Sequence, residues 1–156
     1  MMKNRPAKTA ADIDRRHRAL LTIWAAMLGS VGLYAAVAVL LRPAGGGGAT
    51  ANDAVGLALL GAGGAAVLAS FIVKQRLLSR AVGEQRPELV TNAYVVGFAL
   101  SEAAGVLGLA SAFVAGGGFF YILFLVSAVG LLLHFPRRDD LAAAAFEEGR
   151  PNITGR

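Results

Sequence analysis

Four stretches of this chain, 19–41, 54–73, 90–115 and 119–135, are apolar and almost free of charge. About 20 such residues of helix cross the hydrocarbon layer of a bilayer, and only helices or closed barrels satisfy their own backbone hydrogen bonds there. The expected fold class is therefore all-α, an integral membrane four-helix bundle. The composition agrees, since 56% of the residues are hydrophobic and only 16% charged, more apolar and less charged than a water-soluble domain. A basic segment over 1–18 and a tail over 137–156 flank the membrane domain of 19–136. The first apolar run exceeds the ~7–15 residue core of a signal peptide, so it reads as a retained helix.

The net charge of +5 takes its meaning from where the basic residues lie. Lys3, Arg5, Lys8, Arg15, Arg16 and Arg18 precede the first span. Lys74, Arg76, Arg80 and Arg86 lie between the second and third, and Arg137, Arg138, Arg150 and Arg156 follow the fourth. Only Arg42 falls in the other two loops. Basic residues collect on the cytoplasmic side, so both termini are expected to be cytoplasmic, at the plasma (inner) membrane if the cell is bacterial. The positive charge then needs no nucleic acid, and the expected partners are the lipid bilayer and other membrane-protein subunits or copies of the same chain. Cysteine is absent, which removes disulfides and thiolate chemistry.

The connections are less informative. Ala44 to Asp53 reads as a linker in which Asn52 or Asp53 caps the next helix. No Gly-Lys-Ser/Thr follows its glycines, so it is no phosphate loop. Pro87, after Gln85-Arg86, is expected to start the third helix. Trp24 reads as an interfacial anchor, and with Tyr34 as a candidate ligand surface. His134, beside Pro136-Arg137-Arg138, reads as interfacial. The bulky fourth run is expected to face lipid more than helix, and 141–148 to form a short surface helix.

Small residues recur at fours. The second span carries Ala58, Ala62, Ala66 and Ser70, and beside them Gly61, Ala65 and Ala69, with Gly63 and Gly64 between. The third carries Gly97, Ser101 and Gly105, continued by Gly108 and Ala112. In lipid such stripes let backbones approach closely, so these positions are expected to be helix-packing faces and the second helix to be buried among others.

Glu102 is the one charged residue inside the third span. A carboxylate at mid-membrane costs about 2.5–3.5 kcal/mol on insertion scales, which makes it a functional-site candidate by default. Val95, Phe98, Val106 and Leu109 share its helix face, and such apolar surroundings favour the protonated carboxyl. No metal-ligand set, nucleophile with a base, or cofactor fingerprint accompanies it, so no enzyme, metal or cofactor is expected.

Residues Val96 to Ala103, continued through Gly108 to Phe113, resemble the carboxylate helix of the proteolipid c subunit of rotary ATP synthases. Gly61-Ala62-Gly63-Gly64-Ala65 is similar to the glycine-rich first helix of that family's hairpin. Gln85-Arg86-Pro87-Glu88 is similar to its polar loop, with Gln and Arg transposed. The resemblance covers about 55–115 and implies an ion-binding Glu102 and a cytoplasmic loop at Gln85, Arg86 and Pro87. Leu107 stands where many members have a tyrosine that holds the carboxyl group. Sodium-binding members use a glutamine on the first helix, where this chain has only Ser70, so the implied ion is a proton. The extra helices before and after the hairpin depart from the family, and the Gly116–Gly118 link would bring the fourth helix over Glu102. Three readings stay open: a proton-binding membrane subunit in an oligomer or larger complex, a structural or accessory subunit without ion translocation, and a small proton-coupled transporter.

Overall fold

A computed structural model describes residues 5–41, 53–84, 86–115 and 118–145, with side chains from Ala10 onward. The loop at 42–52, Gln85, Gly116, Gly117 and the tail from 146 lie outside the described residues. So do the candidate cap Asn52, the Gln85 position of the polar loop and the end of the expected 141–148 helix. The described chain is helical: α1 (Arg5–Leu41), α2 (Asp53–Gly83), α3 (Pro87–Val114), α4 (Phe119–Leu133) and α5 (Arg138–Ala145). Three of them, α1, α2 and α3, are long and apolar enough to cross a membrane. At 15 residues α4 is shorter, and it is joined to α5 across a 46° bend.

The helix ends follow from local chemistry. Pro87 opens α3, where its missing N–H costs nothing, and Arg86 before it is extended at φ −119° and ψ 94°. Two backbone bonds close α2 into this turn, Glu84 N to Arg80 O at 2.8 Å and Arg86 N to Ala81 O at 3.0 Å. The bend after α4 has its cause in Pro136, which cannot continue the helix. Its last turn tightens through Phe135 N to Leu132 O at 3.2 Å. Both α1 and α2 extend beyond their apolar runs, because charged residues propagate a helix as well as apolar ones do and Arg15 pairs with Asp12 one turn back at 2.9 Å.

The third helix is central. It packs on α1, α2, α4 and α5, whereas α1 and α2 do not touch each other. Gly63 of α2 lies against Ala104, and Lys74 lies 4.1 Å over the Tyr94 ring, so α2 runs antiparallel to α3. Gly108 meets Leu123 and Phe124, and Gly97 meets His134, so α4 is antiparallel as well. Arg16 reaches Glu88 at 3.3 Å and Val31 lies over Gly105, which makes α1 parallel to α3. Tyr94, Phe98, Phe120, Leu123 and Leu131 are buried between the helices. Leu33, Leu40, Leu68, Leu125 and Leu133 point outward, the pattern of a protein whose surroundings are lipid.

The polar segments gather at one end. Arg138 pairs with Asp14 at 2.8 Å. His17 Nε2 donates to the Pro136 carbonyl at 3.3 Å. Tyr94 OH donates to Asp140 and accepts from Arg137 N at 3.0 Å. The helix expected at the surface, α5, is held down by Leu141 and Ala144.

Candidate functional site

Glu102 sits at mid-length of α3, half-buried, and its polar partners come from α1 rather than from its own helix. Ser30 and Tyr34 stand one turn apart on α1, a spacing that puts both side chains on one face. Both hydroxyls reach the same carboxyl oxygen, Oε1, with Tyr34 OH donating at 3.1 Å. Ser30 Oγ also lies 2.7 Å from the Met27 carbonyl, one turn back on its own helix. A serine has a single proton, so it donates either to Glu102 or to Met27.

That choice gives the site two complete hydrogen-bonding arrangements. With Glu102 ionised, Ser30 and Tyr34 both donate to the carboxylate. With Glu102 protonated, the carboxyl O–H donates to Ser30 Oγ, whose own proton turns to Met27 O while Tyr34 still donates to Oε1. Gain or loss of one proton at Glu102, with rotation of the Ser30 hydroxyl, converts one into the other.

The hydroxyls on α1 correct the expectation drawn from Leu107. A tyrosine does hold the carboxyl group, but it is Tyr34. The helix over Glu102 is likewise α1, while α4 packs along Gly97, Gly105 and Gly108 of α3. Of the apolar neighbours on Glu102's own face, Phe98 is buried and Val106 is 49% exposed, so one edge of the carboxyl group borders the lipid-facing surface.

The small residues divide by face. In α3 a Cβ on Gly97 would stand 2.6 Å from His134 Cδ2, on Gly105 3.1 Å from Ser127 Oγ, and on Gly108 3.1 Å from Leu123 Cβ. Ser101 is fully buried in the same seam. In α2 a Cβ on Gly63 would run into Leu123 Cδ2, and one on Gly56 into Phe119 Cδ2 at 2.5 Å. Gly61 and Gly64 have nothing within 4 Å, and Ala58, Ala62 and Ala65 are exposed. Within this chain α2 is therefore packed on one side only, along a seam of Gly56, Gly63, Val67 and Ser70 rather than along either stripe as a whole. In the polar loop Arg86 is exposed beside Glu84 at 3.8 Å, and Pro87 serves as the helix start.

A second polar centre lies where α3 faces α2 and α4. His134 ends α4 but turns inward and is fully buried. Its Nδ1 donates to Gly130 O at 2.7 Å, and its Nε2 faces Ser70 Oγ at 3.2 Å. Its ring packs on Phe71 with centroids 4.3 Å apart. Ser70 also reaches Val67 O at 2.6 Å, and Ser127 donates to Ser101 O at 2.8 Å. Nearby, Trp24 Nε1 donates to the Leu131 carbonyl at 2.8 Å and its ring meets Phe135 edge-on. Trp24 thereby adds a second donor to a carbonyl in the last turn of α4 that also accepts from His134 N at 3.1 Å.

Sequence reasoning found Glu102 but missed Ser30 as its partner and gave Tyr34 no role in it. The available signal was their spacing of four, since they are the only hydroxyl pair at that spacing in the first apolar run. Among the described residues no three His, Asp or Glu side chains gather as a metal site would require. Comparison of the chain with protein-family models, curated proteins and solved structures gives no match.

Proposed function

We propose that this chain is a small, non-enzymatic integral membrane subunit that binds a proton at Glu102 within an oligomer or a larger membrane complex. In this reading the chain spans the membrane four times as a four-helix bundle, α4 being the fourth span, and both termini are cytoplasmic. The gathering of the basic segments at one end of the molecule supports that orientation.

One observation carries the function: the Ser30 hydroxyl lies between the Glu102 carboxyl group and the Met27 carbonyl. A purely structural carboxylate needs donors alone. Here the donor has a second acceptor within reach, which lets the site exist in both protonation states with its heavy atoms in place. The lipid-facing edge at Val106 supplies a route for exchange that does not require the helices to separate. The cover provided by α1 favours a fixed subunit over a rotating proteolipid.

The competing reading, a structural or accessory subunit, is favoured by the same α1 contact, because two hydrogen bonds to Glu102 also fasten α1 to α3. Modification by a hydrophobic carbodiimide, which reacts with protonated carboxyl groups, separates the two. In vesicles the proton-binding reading expects Glu102 to be modified, the reaction falling as pH rises and vanishing in Glu102→Gln. A folded protein whose Glu102 stays unmodified at every pH would leave only the structural reading.

A further inference from the structure

The basic residues at the polar end are not equivalent. Arg15, Arg16, Arg86 and Arg138 are each paired with a carboxylate, and Lys74 lies over the Tyr94 ring. Arg76 and Arg80 have no such partner among the described residues, and both are exposed. They stand one turn apart on α2, with Ile72 one turn before them, so the three share a face. With Gln75 and Ser79 they line an open groove of about 510 Å³.

The position of this groove along α2 identifies what it meets. Leu68 and Ile72, on the same face, are 68% and 54% exposed and continue the lipid-facing surface to the groove's edge. At 1.5 Å per residue, Arg76 lies ~6 Å and Arg80 ~12 Å beyond Ile72. The headgroup layer occupies roughly the first 5–8 Å outside the hydrocarbon. Arg76 therefore falls within that layer, and Arg80 reaches back to it on its flexible stem. Two guanidinium groups on one face suit the oxygens of a phosphate diester, while Gln75 and Ser79 add neutral donors and Ile72 adjoins the acyl chains.

We propose that Arg76 and Arg80 form a binding site for the headgroup of an anionic phospholipid. The lipid's phosphate takes the place that a carboxylate takes at Arg15, Arg16, Arg86 and Arg138. The site depends on α2 crossing a membrane but not on proton binding at Glu102.

Native mass spectrometry of the full chain, released from vesicles of mixed phosphatidylglycerol and phosphatidylcholine with matched acyl chains, tests this directly. The expected result is selective retention of phosphatidylglycerol, weakened roughly twenty-five-fold in the double variant Arg76→Gln/Arg80→Gln, each arginine near an anionic surface contributing about a factor of five. Arg15→Gln, which removes a paired arginine, should leave retention unchanged. Raising the salt concentration should weaken retention by the unmodified protein, a check that needs no variant to fold. Equal retention of the two lipids, or equal phosphatidylglycerol binding by the unmodified protein and the double variant, would overturn the proposal. Displacement of the lipid by millimolar inorganic phosphate would overturn its lipid specificity. Glu102→Gln should leave lipid retention unchanged, so failure of the proton-binding reading and failure of this one are separately visible.

Discussion

Ser101 and Glu102 are neighbours in sequence, yet they belong to different kinds of polar centre. Ser101 joins a closed group with Ser70, Ser127 and His134, all fully buried between α2, α3 and α4. Glu102 faces α1 and is only half-buried. Hydrogen bonds in the closed group join Ser70, Ser101, Ser127 and His134 across the helices, and Ser70 and His134 also bond carbonyls one turn back in the chain. Those around Glu102 converge on one ionisable oxygen at the edge of the protein. Polar side chains thus fix a core where α3 meets α2 and α4, and leave a half-buried carboxyl group where it meets α1.

If that division is right, substitutions on the two sides should separate stability from proton chemistry. The largest loss of stability is expected from His134→Ala, which leaves a cavity beside Gly97 and removes one hydrogen-bond partner of Ser70. Thermal unfolding should show a cost of about 3 kcal/mol, while carbodiimide modification of Glu102 persists wherever the protein is folded. Gly97→Ala comes next. Its Cβ would press on an imidazole pinned by two contacts, at a cost of about 1–3 kcal/mol by the same melt. Tyr34→Phe should cost about 1 kcal/mol and alter the pH dependence of Glu102 modification, a readout that Gly97→Ala should not move. Were both variants to move it equally, the two centres would be one. The smallest effect is expected at Gly61, where an added methyl group meets nothing within the chain. Gly61→Ala should hold or raise the melting temperature by its better helix propensity, about 1 kcal/mol at most. A fall accompanied by dissociation of an oligomer would instead identify that face as the contact between copies.

Much of the fold was legible because lipid imposes long apolar runs, and a mid-membrane carboxylate stands out against them. Pro87 as a helix start was likewise readable, since its chemistry is local. What escaped was relational. Gly61 and Gly63 differ by two positions but point to opposite sides of α2, and composition cannot say which side meets a partner. His134 was read from its neighbours Pro136, Arg137 and Arg138, whereas its orientation is set by the space at Gly97, far away in sequence. The Glu102 site depends on a contact between α1 and α3, and its own-face neighbours carry no trace of Ser30 or Tyr34. Charged residues between 10 and 18 looked like a tail because charge was taken as the end of a helix. In the fold they extend α1 and fasten it to Glu88 and Arg138.

That extension makes α1 a single rod of 37 residues, ~55 Å from end to end. Its foot is clamped in the polar end by Asp14, Arg16 and His17, and its middle supplies Ser30 and Tyr34 to Glu102. A stiff rod transmits displacement along its axis. The residues that hold the foot and those that reach Glu102 are therefore fixed to one rigid element, so the register of α1 at its foot also sets where the two hydroxyls stand against the carboxyl group.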